Sequence, residues 1–364
     1  RQGKCYEYID PERARTLYER SLEILLCLGD WRETALPLQG LGYIAHMKGD
    51  YAQAEEYLAQ SLETYRRNAD RWGEANVLSS LCLVARRQGT FAKAKQWGQE
   101  SLTIRRTIGD QRGIASSLSN LGLVQCMLGE YTEAKTALTE ALQIFRQMNY
   151  RIGISNALNA LCQAMFGLGD LQTAMQLAQE SLAIYRDVGD AWGAAISLNN
   201  LGCMAMESGN LAKAQILYQE GIAIYRRIGI KSGLANTLSN LGEVCAMLGA
   251  HAEAQHYLYE ALEIAHDIGA TPILLEILTR LASLFAQAGD PRQALELLTV
   301  ALQHPALIQS TREKALTVYE NLQATLSPHI VAETETHAER QALESIVAAV
   351  LGAPIVGHSK ATSS

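Results

Sequence analysis

The sequence predicts an all-α array of stacked helix pairs, and three observations carry that reading. A forty-residue period runs through seven units without an insertion, apolar residues within each unit recur at intervals of three and four, and helix-ending and helix-starting residues sit at fixed places in the period. Gly49, Gly89, Gly129, Gly169, Gly209, Gly249 and Gly289 form one column. Ala54, Ala94, Ala134, Ala174, Ala214, Ala254 and Ala294 form a second, which Ala14 extends back by one period, and Leu41, Leu81, Leu121, Leu161, Leu201, Leu241 and Leu281 form a third. Self-similarity at this spacing marks a solenoid, in which each unit needs its neighbours to bury its apolar faces.

The elements follow in order. Helices are expected near 11–27, 31–48, 51–67, 71–88 and 91–107, and onward at the same spacing to about 303. Asp10-Pro11 and Asp290-Pro291 carry the pairing of an N-cap acid with a proline in the first turn. Pro37 falls inside the helix expected over 31–48 and should delay or kink it. Within a unit, the column glycine ends the first helix in the left-handed conformation. The acid after it, in Gly49-Asp50, Gly129-Glu130, Gly169-Asp170 and Gly289-Asp290, is placed to cap the second helix. Gly29-Asp30, Gly109-Asp110 and Gly189-Asp190 punctuate the junctions between units. Beyond the seventh unit a helix is expected over Thr311 to Leu326, a break at Ser327-Pro328, and a charged helix from about Thr336 to Leu351. The organisation is therefore a leading helix of a truncated repeat (1–30), seven repeats (31–308), C-terminal capping helices (309–352) and a polar, flexible tail (353–364).

Composition narrows the function classes. With 364 residues, 48% of them hydrophobic, and only 7 prolines, the chain has material for an extensive core and is neither collagenous nor disordered. A net charge of −7 offers no global attraction to nucleic acid or anionic lipid, so neither is an expected partner. No stretch approaches the roughly 18 uninterrupted apolar residues of a membrane span. The chain opens Arg1-Gln2-Gly3 without an initiator Met or an apolar signal region, which reads as a fragment of a longer protein. Cys5, Cys27, Cys82, Cys126, Cys162, Cys203 and Cys245 form no C-x-x-C pair and point to a reducing, cytoplasmic compartment.

Catalytic signatures are missing. There is no G-x-x-x-x-G-K-[ST], no H-E-x-x-H and no G-x-S-x-G, so no catalytic residue, metal ligand or cofactor is expected in this piece of the chain. His251, His256 and His266 are spaced by five and ten, which does not put three imidazoles on one helix face. Trp72 and Trp192 open two first helices at equivalent positions and are expected, like Trp97 in a second helix, to pack between repeats.

At Leu38, Leu41, Gly42, Ala54, Leu58 and Ser61 the unit resembles a tetratricopeptide repeat, and Gly122 to Ala134, Gly202 to Ala214 and Gly242 to Ala254 keep the same spacing. Leu38, Leu78, Leu118, Leu158, Leu198, Leu238 and Leu278 stand where the signature has Trp, and the closing Pro is absent. With the forty-residue period, this points to the long variant of the repeat. That variant resembles the sensor arrays of bacterial signal-transduction ATPases with numerous domains, of the maltose-regulon activator type, and eukaryotic adaptors such as kinesin light chain. A helix followed by Leu326-Ser327-Pro328, Val331 and a closing helix with Leu343-Glu344, Ile346 and Val347 is similar to the C-terminal end of the bacterial regulators.

The resemblance implies a right-handed superhelical solenoid with first helices lining a concave groove. It places in that groove Asn76, Asn156 and Asn236; Ser79, Ser119, Asn159, Asn199 and Ser239; Ser80, Asn120, Asn200 and Asn240; and Gln163, Cys203 and Glu243. A carboxamide row can clamp an extended peptide or sugar hydroxyls. Equally, Asn120, Asn200 and Asn240 can bond to adjacent helices and fix repeat spacing. Arg86 and Arg87 lie towards one end of this surface, and Glu207, Glu243 and Glu276 towards the other. The candidate ligand contacts are Asn76, Asn120, Asn156, Asn159, Asn199, Asn200, Asn236, Asn240, Arg87 and Glu243. A second stripe, Arg66, Arg106, Arg146, Arg186 and Arg226, ends successive second helices, where it offsets the helix dipole. Glu100, Glu140, Glu180, Glu220 and Glu260 are the expected counter-charges.

These readings converge on a binding array: the sensor part of a larger bacterial signalling ATPase, taking an inducer (a peptide, protein or small molecule) in the groove. The resemblance puts nucleotide-binding and effector domains upstream. The alternative is a constitutive protein-interaction scaffold holding an extended peptide, and an enzyme with its site in the array is the least favoured class.

Overall fold

The computed structural model describes residues 11–338 and 340–352, so Cys5, the Asp10 cap and the tail expected over 353–364 lie outside the described residues. Every regular element described is a helix. The chain divides into two compact units, residues 1–164 and 165–364.

The first unit opens with α1 (Pro11–Cys27), followed by α2 (Ala35–Lys48) and α3 (Tyr51–Arg67), α4 (Arg71–Gln88) and α5 (Phe91–Ile108), α6 (Gln111–Met127) and α7 (Tyr131–Gln147), and most of α8 (Arg151–Gly167). The second unit holds the end of α8, then α9 (Leu171–Val188), α10 (Ala191–Glu207) and α11 (Leu211–Ile228), α12 (Lys231–Met247) and α13 (His251–Asp267), and α14 (Thr271–Ala288) and α15 (Pro291–Gln303). Three helices close it: α16 (Gln309–Thr325), α17 (Pro328–Ala338) and α18 (Leu343–Gly352). Within each unit, successive first helices (α2, α4, α6; α10, α12, α14) approach one another more closely than successive second helices do. The first helices therefore line the inner side of each unit.

The punctuation forms as expected at most positions. Gly49 sits at φ 83° and Asp50 accepts the Gln53 N–H; Asp170 and Asp290 cap their helices in the same way. At the junctions between repeats, Asp110 and Asp190 accept from Gly113 and Gly193. Two expected caps do not form. Asp30 makes no side-chain cap bond, and Glu130, with a longer side chain, turns instead to Lys95 at 2.6 Å. Pro37 has the expected effect: residues 31–34 form a 3-10 turn and α2 starts only at Ala35. The single helix expected over 336–351 is in fact the end of α17 and the whole of α18, separated by a turn at 340–342. That turn lets α18 fold back onto α13, burying Ile346, Val347 and Val350.

Two size-matched seams explain the packing. Positions sixteen apart join the two helices of a repeat: Gly42 lies against Leu58, Gly122 against Leu138, Gly202 against Tyr218 and Gly242 against Leu258, so tightly that a Cβ on the glycine would overlap its partner. In the second repeat the sizes are exchanged. Cys82 takes the glycine position and Gly98 the large one, with the Cys82 Sγ 3.4 Å from where a Cβ on Gly98 would stand. This is why a cysteine can occupy a small-residue column. The other seam joins one repeat to the next: Tyr65, Phe145, Tyr185 and Tyr225 lay their rings over Gly73, Gly153, Gly193 and Gly233. Close packing of this kind tolerates neither an added methylene nor a lost one. Trp72 and Trp192 depart from expectation. They are 58% and 47% exposed, standing at the solvent edge of the first helices rather than between repeats.

Candidate functional site

The candidate residues lie on the inner helices, and the structure sorts them by what their polar groups already do. In the second unit they join one network. Asn240, 3% exposed, donates through Nδ2 to the Asn199 Oδ1 at 2.9 Å and accepts from the Arg280 guanidinium at 2.6 Å. Arg280 also donates to Glu243 at 2.8 Å, to the Ser239 hydroxyl at 2.5 Å and to Glu276 at 2.8 Å. From α16, Lys314 reaches the other Glu243 oxygen at 3.2 Å. Two carboxylates thus compensate a buried guanidinium and hold it charged, its pKa raised despite burial. Arg280 and Lys314 in turn hold the Glu243 carboxyl below its usual range, against burial. Asn199, Asn240 and Glu243 therefore tie α10, α12, α14 and α16 together, the repeat-fixing role that the sequence left open for the amides. Asn159 and Asn200 are buried as well. Arg280 itself was missed by the sequence reading, although it falls in the register column of Asn120, Asn200 and Asn240, and that column was the available signal.

In the first unit the arrangement differs. Asn76 accepts from Arg105 at 2.7 Å, and Arg105, almost fully buried, takes the place of the aromatic ring over Gly113 while pairing with Asp110 at 2.6 Å. Asn120 is half-buried with no hydrogen-bond partner among the described residues, as is Asn236 in the second unit; Asn156 is exposed. Arg87 and its neighbour Arg86, also half-buried, have neither an ion-pair partner nor a side-chain hydrogen bond among the described residues. Burial, with the adjacent Arg87 charge, lowers the Arg86 pKa to about 10. Close by, burial and these two cations push the His46 imidazole down to about 4. The His46 Nδ1 is buried without a partner, and its ring lies 5.7 Å from that of Tyr51.

The arginine stripe is structural. Arg66, Arg106, Arg186 and Arg226 pair with Glu100, Glu140, Glu220 and Glu260, thirty-four residues on, linking successive second helices through exposed ion pairs. Among the described residues no group of three His, Cys, Asp or Glu side chains is placed to hold a metal ion. No described helix is long and apolar enough to cross a membrane.

The family model for the tetratricopeptide repeat matches residues 10–67, 73–147, 153–227 and 233–304, the last three starting eighty residues apart, which is two of the periods above. The chain belongs to the tetratricopeptide repeat family. No curated protein matches this repeat protein by sequence. Among solved structures it is similar to NprR in complex with its cognate peptide NprX, at a TM-score of 0.67 and 15% identity over 91% of this chain and 94% of that one. A Rap protein complexed with competence and sporulation factor gives a TM-score of 0.56 and 12% identity over 93% and 99%. A signal-transduction ATPase with numerous domains, carrying a tetratricopeptide repeat sensor and taken from Pyrococcus horikoshii, gives 0.53 and 13% over 92% of this chain and 54% of that one. At these identities the likeness is one of fold.

Proposed function

We propose that this tetratricopeptide array is a binding module for an extended peptide, acting as the sensor part of a larger signal-transduction ATPase, with recognition rather than turnover as its activity. The observation that carries the reading is the inner face itself. Polar side chains recur along the inner face of each unit at the repeat spacing, and each unit has a half-buried carboxamide with no protein partner among the described residues, Asn120 in the first and Asn236 in the second. A carboxamide so placed offers one acceptor and two donors, which suits the alternating N–H and C=O groups of an extended backbone. The likeness to NprR in complex with a peptide, and to a signal-transduction ATPase whose sensor is a tetratricopeptide array, supports both halves of the proposal. To act as a sensor, the bound peptide must favour one arrangement of the repeats over another, since equal affinity for both shifts nothing.

Fluorescence anisotropy of the full chain against a pool of labelled peptides tests the proposal. Saturable binding weakened roughly tenfold by Asn120→Ala or by Asn236→Ala, about 1.4 kcal/mol, is the expected outcome, the variant that weakens it marking the unit that binds. Unchanged affinity in both variants removes the groove assignment, and a peptide that binds without altering protease sensitivity of the array favours a constitutive scaffold.

A further inference from the structure

We propose that Arg86 and Arg87, with His46 beside them, form an oxyanion-recognition site in the first unit, and that its occupant is a carboxylate of the peptide ligand. This deepens the peptide-binding reading above and rests on it for the source of the anion.

Three observations converge. The first is register. The position of Arg86 is held by His46 in the first repeat and by Cys126, Phe166, Met206, Ala246 and Ala286 in later ones, and that of Arg87 by Met47, Met127, Gly167, Glu207, Met247 and Gln287, so two adjacent arginines stand at these positions in this repeat alone. The second is the absence of compensation. Guanidiniums at the other end of α4 are paired: Arg66 with Glu74 and Glu100, Arg71 with Glu74, Arg105 with Asp110. Arg86 and Arg87 are half-buried and have no anion among the described residues. The end of α4, whose last turn carries both arginines, offers the negative end of a helix dipole, a partial charge and not a carboxylate. The third is the wall. The His46 Nδ1 is buried without a partner, so a polar atom is available on α2 next to the pair on α4.

A half-buried charge without a partner is costly, and two side by side repel; an anion relieves both penalties at once. A guanidinium presents a planar fork of donors that matches the two oxygens of a carboxylate, so one arginine can hold the group bidentately while the other supplies charge. Burial first, and then the charges on Arg87 and Arg86, depress protonation of His46; an anion between the two arginines would offset their share, which gives the imidazole a reporting role. Inorganic phosphate shares the oxyanion chemistry, so the experiment separates the two sources.

The test uses the full chain and two peptide pools identical except that Asp and Glu in one are Asn and Gln in the other, with C-terminal amides on both. Anisotropy is measured for the wild type, for Arg86→Met with Arg87→Met, and for the conservative Arg86→Lys with Arg87→Lys; circular dichroism checks that each is folded. The expected result is at least tenfold tighter binding of the acidic pool by the wild type, loss of that preference in the methionine variant, and partial retention in the lysine variant. An acidic preference that survives the methionine substitutions, or binding of both pools alike by the wild type, overturns the proposal. If neither pool binds, the peptide reading fails, and the site is then judged by titrating succinate and inorganic phosphate against the His46 imidazole resonances. A saturable shift that vanishes in the methionine variant keeps the oxyanion site, with the tighter of the two probes naming its chemistry. The absence of a shift removes it.

Discussion

Two half-hidden guanidiniums at the inner helices, Arg280 in the second unit and Arg86 in the first, show opposite solutions to one problem. Arg280 is surrounded by Glu243, Glu276, Asn240 and Ser239, and its charge is fully answered from within the fold. Arg86 has a second arginine for a neighbour and no carboxylate. An arginine in a repeat array is thus a structural tie where its counter-charges come from adjacent repeats. It becomes a recognition group where they are missing. The residue type does not distinguish the cases; the neighbours forty residues away do.

Removing Arg280 should produce the largest effect. Arg280→Met strands two carboxylates with only Lys314 to answer them, and we expect a loss of about 3 kcal/mol in urea unfolding; a loss below about 1 kcal/mol breaks the contrast. Next comes packing. Gly202→Ala drives a methyl into the Tyr218 ring and should cost about 2 kcal/mol. Gly98→Ala, with the Cys82 Sγ at 3.4 Å, should cost nothing or add stability from helix propensity. Arg86→Met should shift stability in the opposite sense to Arg280→Met, raising it by about 1 kcal/mol because an unanswered charge is replaced by an apolar side chain; urea midpoints for the two methionine variants make the comparison direct. Ala69 sits at φ 55° where Gly29, Gly109, Gly189, Gly229 and Gly269 stand in other repeats, so Ala69→Gly should raise the melting temperature by an amount worth about 1 kcal/mol. Smallest of all, Arg226→Ala breaks an exposed ion pair with Glu260 and should cost under about 0.5 kcal/mol, less in high salt.

The helix pairs were legible in the sequence because their signals are local. A glycine that must take positive φ, an aspartate three residues before a free N–H, and a proline that delays Ala35 each act within a few residues. Glu130 was misread for a tertiary reason: an acid after the column glycine caps only if no cation from the preceding repeat competes for it, and Lys95 does. The turn at 340–342 was also invisible locally, since it follows from the site on α13 that α18 covers. The candidate amides lie on the inner helices, and their columns do not sort them. Whether Asn240 is tied up and Asn120 is not depends on Arg280 standing one period after Asn240 and Ala160 one period after Asn120.

The two glycine seams also set where this array can be cut and rejoined. At the junction between repeats the contact is nearly standard, an aromatic ring over a glycine four times among the described repeats, so one repeat can follow another with little adjustment. Inside a repeat the contact varies: three repeats pair glycine with leucine, while Gly202–Tyr218 and Cys82–Gly98 each stand alone. Joining the first helix that carries Cys82 to the second helix that carries Leu138 would overfill the seam, and joining the helix of Gly122 to that of Gly98 would leave a hole the size of a leucine side chain. Duplication, deletion or grafting is therefore compatible with the fold at the turns near residues 68–70, 148–150 and 228–230. A breakpoint at the turn within a repeat separates two helices whose seam sizes must be matched again, and for the Cys82–Gly98 and Gly202–Tyr218 pairs no described glycine–leucine repeat supplies that match. The inherited unit of this molecule is the matched pair, and the forty-residue period is the length over which that match is kept.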